Sequence, residues 1–146
     1  IVGAIVAVNA LGDVVDSKTG QIIAGLRKLD GRGFQPTLDV LRQADAGNMQ
    51  GGYHTTIGVV ATNARLDKNG ANKMAQMAHD GLARSINPCH TMFDGDTVFA
   101  LSLGDKNLDI STAGAVAAAM MEEAVCRAVS KAISLCGVPA RKDLMP

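Results

Sequence analysis

Thr55-Thr-Ile-Gly-Val-Val-Ala-Thr-Asn63 is the run of residues around which the rest of the chain is arranged. β-Branched and small apolar residues dominate it, and β-branched residues favour a pleated, half-buried strand. Before it lies the segment from Asp30 to His54, which contains 5 glycines and 1 proline in 25 residues. A connection of that length is unusual unless it is mobile or functional. We therefore predict a core strand that begins directly after a flexible connector.

Further elements are predicted from the spacing of apolar residues on both sides of this strand. The predicted strands are Ile1–Ala10, Ile22–Leu26 and Asp96–Leu103, and the predicted helices are Ala71–Ile86 and Ser111–Leu135. The first two of these strands form a predicted hairpin, with Gly12-Asp13 as a turn. The resulting order, β-β, connector, β-α-β-α, indicates an α/β fold, and the many alanines and glycines suit close-packed layers.

The composition indicates one globular domain. The chain has 146 residues, of which 47% are hydrophobic and 19% are charged, and a single hydrophobic core commonly serves a chain of this length. It carries 14 basic and 14 acidic residues, so it lacks the positive surface of a nucleic-acid-binding protein. Its apolar runs are far shorter than the roughly 18 residues of a membrane helix. We expect a soluble protein with neither a nucleic-acid nor a membrane partner.

The cysteines argue against a disulfide framework. Cys89, Cys126 and Cys136 are odd in number and form no C-x-x-C pair, which also speaks against a structural zinc site. A reducing, cytoplasmic compartment fits best, with the periplasm left open. Glycine-rich nucleotide-binding motifs are absent from the sequence, so no cofactor is expected.

Thr55 is the first candidate for chemistry. The first residue of a core strand is held rigidly, and β-branching restricts its side-chain torsion. If the chain were cut before Thr55, this residue would have a free α-amine with a pKa of about 7.7–8.0. That amine could act as the base for the hydroxyl of the same residue. That arrangement is typical of N-terminal nucleophile hydrolases. The alternative is that threonine simply begins this strand, as it begins many others.

Asp94-Gly95-Asp96 and Asn9 are the other candidates. Residues i and i+2 of an extended segment share a face, so the two carboxylates are expected to converge, and Gly95 allows close backbone approach. An ordinary Asp-Gly turn is the alternative. One D-x-D has too few ligands for calcium, so no metal is expected. Asn9 lies in an apolar strand, where its amide is either satisfied by neighbouring backbone or directed at a ligand as an oxyanion donor.

The remaining titratable side chains receive no catalytic role. His79 falls in a predicted helix, as a surface or partner-facing residue. Cys89-His90 follows Pro88 close to the acids, but the sequence offers no group that would activate the thiol.

Four blocks of sequence resemble a known family. They are Gly3–Asp16, His54–Asn63, Met77–Arg84 and Pro88–Thr97. Together they closely resemble the self-processing L-aminopeptidase/D-esterase family, which includes β-peptidyl aminopeptidases and nylon-oligomer hydrolases. The resemblance covers nearly the whole chain.

This resemblance implies an αββα sandwich related to N-terminal nucleophile hydrolases. It also implies a precursor that cuts itself between His54 and Thr55 and assembles into a homo-oligomer. Residues 1–54 would then end the α-chain part, residues 55–146 would form the β-chain part, and both would belong to one domain.

Site residues carry over one by one. Thr55 matches the nucleophile of both self-cleavage and hydrolysis, Asp94 and Asp96 match the acidic pair, and Asn9 matches the active-site asparagine. This chain departs from the family in two ways. His54 stands where asparagine usually precedes a threonine nucleophile, and the family's long portion before the first strand is missing ahead of Ile1. We therefore expect the chain to need an upstream N-terminal portion as its partner.

The implied activity is hydrolysis of N-terminal amino acids from short peptides, of amino-acid amides, or of ω-amino-acid oligomers. Acyl transfer of the ornithine acetyltransferase type is an alternative, since that group shares the implied fold and threonine nucleophile. A non-catalytic structural half is the other.

Overall fold

The computed structural model describes residues 1–43 and 54–144. Its strands are β1 (Val2–Asn9), β2 (Asp13–Val15), β3 (Ile22–Ala24), β4 (Thr55–Ala64), β5 (Ile86–Asn87) and β6 (Thr97–Lys106). Its helices are α1 (Thr37–Gln43), α2 (Lys68–Ser85), α3 (Ile110–Lys131) and α4 (Arg141–Leu144). The predicted α/β class is confirmed.

The larger sheet has β4 at its centre. Among the described residues its order is β1-β4-β6, with β1 antiparallel and β6 parallel to β4. Asn9 pairs with Thr55 at one end of this sheet, and Ile57 pairs with Thr97. The predicted strand at 55–63 is therefore the middle strand; its first residue pairs with β1, and its pairing with β6 begins two residues later.

Helices α2 and α3 cover one face of this sheet. Alternate residues of β4 are buried beneath them, including Thr56, Val60 and Thr62. Each helix begins at an aspartate whose carboxylate accepts a hydrogen bond from a backbone N–H of the first turn. Asp67 caps α2 in this way and Asp109 caps α3, which satisfies one of the free donors at a helix start.

Small residues let the two helices touch. A Cβ atom added at Gly81 would lie 2.2 Å from the carbonyl oxygen of Ala118. One added at Gly114 would lie 2.2 Å from the sulfur of Met77. Since real Cβ atoms never approach so closely, a side chain at Gly81 would push against the backbone of α3, whereas one at Gly114 would displace the Met77 side chain. This confirms that the small residues serve close packing.

The opposite face of the larger sheet is apolar and exposed. Side chains of β1, β4 and β6 on this face include Ile5, Ile57, Phe99, Leu101 and Leu103. Phe99 is 56% exposed and Leu103 is 75% exposed. Within residues 1–43 and 54–144, the sheet is thus covered on one side by helices and bare on the other.

The predicted hairpin is wrong in its partners. β1 pairs with β4, whereas β3 pairs with β2, in a small sheet of order β3-β2-β5. The expected turn at Gly12-Asp13 instead begins β2. Asp13 is buried, and its carboxylate accepts hydrogen bonds from the N–H of Leu26 and from the N–H and hydroxyl of Thr37. These bonds hold the chain after β3 against β2, away from β1.

Part of the predicted connector is ordered. Helix α1 lies within it, and its first residue, Thr37, is buried against Asp13. The rest of the predicted connector before His54, residues 44–53, lies outside the described residues. In the part of the chain that is described, we find no helix with the length and apolar character needed to span a membrane.

Candidate active site

Thr55 opens β4 with its hydroxyl against the preceding peptide bond. Thr55 Oγ1 donates to the carbonyl oxygen of His54 over 2.5 Å, and the Gly95 N–H donates to the same oxygen over 2.9 Å. The carbonyl of the bond between His54 and Thr55 therefore receives two donors. Of the two, the Gly95 N–H is the donor that could stabilise negative charge on this oxygen if the Thr55 hydroxyl attacked the carbonyl carbon.

Gly95 packs directly against the Thr55 side chain. A Cβ atom at this position would lie 2.9 Å from Thr55 Oγ1, closer than real Cβ contacts. From the sequence, Gly95 is expected to allow close backbone approach, and this contact agrees with that expectation. The donating N–H of Gly95 was not foreseen, because it depends on how His54 pairs with Asp94 in an isolated bridge.

Asn9 is the last residue of β1 and stands directly opposite Thr55. Directly paired residues in an antiparallel sheet project to the same face, with Cβ atoms about 4.5–5.5 Å apart. Asn9 and Thr55 thus share the face of the sheet that the helices leave uncovered. The structure brings this pair of predicted site residues together.

Asp96 is hydrogen-bonded to the backbone at the start of β4. One carboxylate oxygen, Oδ1, accepts a hydrogen bond from the Thr56 N–H over 2.8 Å. The other, Oδ2, lies 2.8 Å from His90 Nδ1 and accepts from the Cys89 thiol over 3.6 Å. The Asp96 side chain is only 4% exposed, so the position of this carboxylate is fixed by these contacts.

Asp94 has different partners. Its Oδ2 accepts from the N–H of Thr91 over 3.0 Å and from the Thr91 hydroxyl over 2.6 Å, while Oδ1 accepts from the Leu11 N–H over 3.4 Å. The two acids therefore both lie near the Thr55 end of β4, but the hydrogen bonds described here do not join them at one group. Strand β6 begins only at Thr97, so the same-face rule for extended residues does not apply to this pair.

Three side chains without an expected role gather around Asp96. His79, on α2, lies with Nδ1 3.4 Å from His90 Nε2. Burial, and then the neighbouring His90, lower the pKa of His79. Burial, and then the Asp96 charge, raise the pKa of the Cys89 thiol to about 12. Cys89 is thus a neutral thiol at physiological pH, which agrees with the absence of an activating group in the sequence.

An apolar depression of about 400 Å³ lies beside His54. Leu11, Leu26 and Val40 contribute to its walls. The His54 Nδ1 atom is buried and has no hydrogen-bond partner among the described residues. The His54 side chain, which precedes the bond to Thr55, therefore lies in a largely apolar environment.

Comparison with known families gives a match over almost the whole chain. The model of Peptidase family S58 matches residues 1–142.

Several curated proteins are similar to the chain. An uncharacterized aminopeptidase of Mycobacterium tuberculosis is 34% identical over 167 residues, which cover 99% of this chain and 48% of that protein. One of Mycobacterium leprae is 37% identical over 163 residues, covering 99% and 44%. A 6-aminohexanoate-oligomer endohydrolase of Paenarthrobacter ureafaciens is 29% identical over 147 residues, covering 86% and 39%. The chain spans about half the length, or less, of these relatives.

Proposed function

The chain belongs to peptidase family S58, and on that premise we propose that it carries the nucleophile of a self-cleaving amide hydrolase. Thr55 is the proposed nucleophile. The observation that carries the proposal is the contact of the Thr55 hydroxyl and the Gly95 N–H with one carbonyl oxygen, that of His54.

Self-cleavage is the first proposed reaction. Thr55 Oγ1 attacks the carbonyl carbon of His54, and the C–N bond between the two residues breaks. The hydroxyl proton passes to the released Thr55 amine, and an ester joins His54 to Thr55 Oγ1. Water hydrolyses that ester, which leaves a carboxylate on His54 and restores the hydroxyl. The Gly95 N–H supports this step because it already donates to the oxygen that becomes negative.

Substrate hydrolysis follows the same chemistry. The free Thr55 amine accepts the proton of its own hydroxyl, which attacks a substrate amide, and the leaving amine takes that proton. Water then releases the acyl group from Thr55. Asn9, opposite Thr55, is the proposed donor to the substrate oxyanion. Asp94 and Asp96 are proposed to position the Thr55 amine and hydroxyl.

The proposed substrates are N-terminal residues of short peptides, amino-acid amides and ω-amino-acid oligomers. The names of the relatives, aminopeptidase and 6-aminohexanoate-oligomer endohydrolase, support this class. All of these substrates offer an amide bond to the same nucleophile.

We also propose the architecture in which this chemistry works. The bare apolar face of the β1-β4-β6 sheet supports an αββα sandwich, completed by a second sheet from an upstream N-terminal portion. Residues 1–54 and 55–146 form the two parts of one domain in a homo-oligomer. A cytoplasmic location is supported by three free cysteines.

Intact-mass spectrometry of the full-length protein tests the proposal. Cleavage before Thr55 divides this chain into pieces of 54 and 92 residues. Thr55→Ala should abolish both cleavage and amide hydrolysis, whereas Thr55→Ser should keep part of each because the hydroxyl remains. Thr56→Val is the matched control, since the neighbouring hydroxyl is buried without a hydrogen-bond partner in the described structure. Cleavage by the Thr55→Ala variant at the wild-type rate would contradict the proposal.

A further inference from the structure

Cys89, His90 and Asp96 present three different donor atoms to one small volume. A ligand atom from each, the Cys89 sulfur, a ring nitrogen of His90 and a carboxylate oxygen of Asp96, lies within 4.8 Å of the other two. The Asp96 side chain is almost completely buried, whereas the His90 ring is partly exposed to solvent. The cluster therefore has one buried ligand, Asp96, and is accessible to a small ion from solvent on the side of His90.

The donor types suit a borderline-soft divalent metal ion. Sulfur, imidazole nitrogen and carboxylate oxygen are the three protein ligands of Zn²⁺, whereas calcium and magnesium take oxygen ligands. Zn–S and Zn–O bonds of about 2.3 and about 2.1 Å at a tetrahedral angle place the two ligand atoms about 3.6 Å apart. Cys89 Sγ and Asp96 Oδ2 are separated by 3.6 Å.

His90 completes the coordination with a small movement. Its Nδ1 lies 2.8 Å from Asp96 Oδ2, and in a tetrahedral zinc site this separation is about 3.4 Å. The ring therefore has to move by roughly half an ångström, and its partial exposure to solvent is compatible with such a shift. The backbone of His90 has a positive φ of 57°, a conformation that costs backbone strain for a residue with a side chain.

His79 supplies the supporting contact that metal-bound histidines usually have. When one ring nitrogen of histidine binds a metal, the other commonly donates its N–H to a neighbouring acceptor. His90 Nε2 lies 3.4 Å from His79 Nδ1. In the tautomer that carries its proton on Nε2, the His79 ring presents Nδ1 as the acceptor for this bond.

We propose that Cys89, His90 and Asp96 bind a zinc-type divalent metal ion, with His79 holding the His90 ring and one position left to water. The carboxylate can serve two purposes at once. Its Oδ2 faces the ion while Oδ1 still accepts from the Thr56 N–H, so metal binding leaves the start of β4 in place. Binding releases the thiol proton of Cys89, as metal binding to cysteine generally requires.

Metal titration of the reduced full-length protein tests the site. Co²⁺ serves as the spectroscopic probe, because a thiolate ligand gives a sulfur-to-cobalt charge-transfer band in the near ultraviolet. We expect one equivalent of Co²⁺ to produce that band and Zn²⁺ to remove it by competition. Cys89→Ser should abolish the band. His79→Ala should weaken Zn²⁺ binding by about 10- to 100-fold, the usual effect of losing such a supporting contact.

Cys126→Ser is the matched control, because Cys126 is also half-buried but lies outside the cluster. This variant should bind Co²⁺ like the wild type, and thermal melts should show that all variants fold. A full-length protein without the band, or a band that persists in Cys89→Ser and disappears in Cys126→Ser, would overturn the proposal.

Discussion

Asp94 and Asp96 are two residues apart and fix different parts of the molecule. Asp96 holds the Thr56 N–H at the start of β4, so it acts on the strand that carries Thr55. Asp94 holds Thr91 and the Leu11 N–H, which ties the loop before β6 to the chain after β1. Loss of charge at Asp96 should therefore affect Thr55 through the strand β4, and loss of charge at Asp94 should affect it through the loop before β6.

Asp96→Asn should lower the rate of self-cleavage by about 10²-fold or more, the scale of loss when a reacting group is no longer held in position. The amide can still accept from Thr56 N–H, so the fold should survive while the negative charge beside the nucleophile is lost. Asp94→Asn should also lower the rate, and it should lower the melting temperature, because in either orientation the amide NH2 faces a donor, at Thr91 or at the Leu11 N–H. A time course by intact mass and a thermal melt give the two quantities.

Asp105→Asn, on the exposed end of β6, is the control and should leave the rate unchanged. A wild-type rate in Asp96→Asn would refute its proposed role. A rate lost only because the variant unfolds would do the same.

From the sequence, Thr55 and Asn9 could be assigned to strands, whereas the contacts of Asp94 and Asp96 could not be predicted. Thr55 and Asn9 face each other because both belong to long strands whose pairing follows from their patterns. The contacts of Asp94 and Asp96 depend on an irregular loop, and no periodic rule gives the direction of a side chain there. The gathering of His79 and His90 around Asp96 joins a helix to that loop, and sequence spacing carries no signal for it.

At the level of elements, the contact between α2 and α3 depends on two glycines. Gly81→Ala should lower the free energy of unfolding by about 1–3 kcal/mol, the usual cost of overpacking. The added Cβ would lie 2.2 Å from the Ala118 carbonyl oxygen, and a backbone atom inside a helix cannot turn aside. Alanine's better helix propensity, about 0.5–1 kcal/mol, is too small to compensate. Urea denaturation measures the difference.

Gly70→Ala is the matched control in the same helix. Its added Cβ would lie 3.3 Å from the nearest atoms, which belong to the side chains of Asp67 and Leu66. We expect this variant to stay within about 0.5 kcal/mol of the wild type. Equal destabilisation by both substitutions would show that the interhelical contact is not the cause.

Long elements were predictable and short ones were not. Strand β4 and helices α2 and α3 carry enough apolar residues in period for their type to be read from the sequence. The short strand β2 has only three residues, and burial of Asp13 decides its place. The three hydrogen bonds that the buried Asp13 carboxylate accepts produce no periodic pattern in the sequence. The hairpin was therefore assigned to the wrong pair of strands.

At the level of the whole molecule, the main feature of the packing is the apolar face of the larger sheet that no helix covers. Monomeric soluble proteins rarely expose contiguous apolar patches of more than a few hundred Å². Here exposed apolar side chains from β1, β4 and β6 lie on one face. We therefore expect this face to be covered in the working protein, as the proposed sandwich requires.

Phe99→Lys combined with Leu103→Lys should make this chain, expressed by itself, less prone to associate. Light scattering over a range of concentrations should show a wild type that forms oligomers or aggregates and a variant shifted toward monomer. In the full-length protein the same pair should reduce self-cleavage, because packing a second layer would bury two charges.

Ile133→Lys is the control, since Ile133 is exposed but lies beyond the end of α3, outside the sheet. It should change neither association nor cleavage. A wild-type chain that stays monomeric at every concentration would contradict the expectation that the bare face is an interface.

The central position of β4 has a consequence for how long the proposed nucleophile survives. Newly made chain ends usually fray and become accessible to trimming enzymes and to amine-modifying reagents. A new N-terminus at Thr55 would not fray in this way, because Thr55 pairs with Asn9 on β1 and the Thr56 N–H is hydrogen-bonded to Asp96. An end anchored inside a sheet cannot be drawn into the extended form that an exopeptidase needs. Self-cleavage would thus create a reactive terminus that is sheltered from the moment it forms.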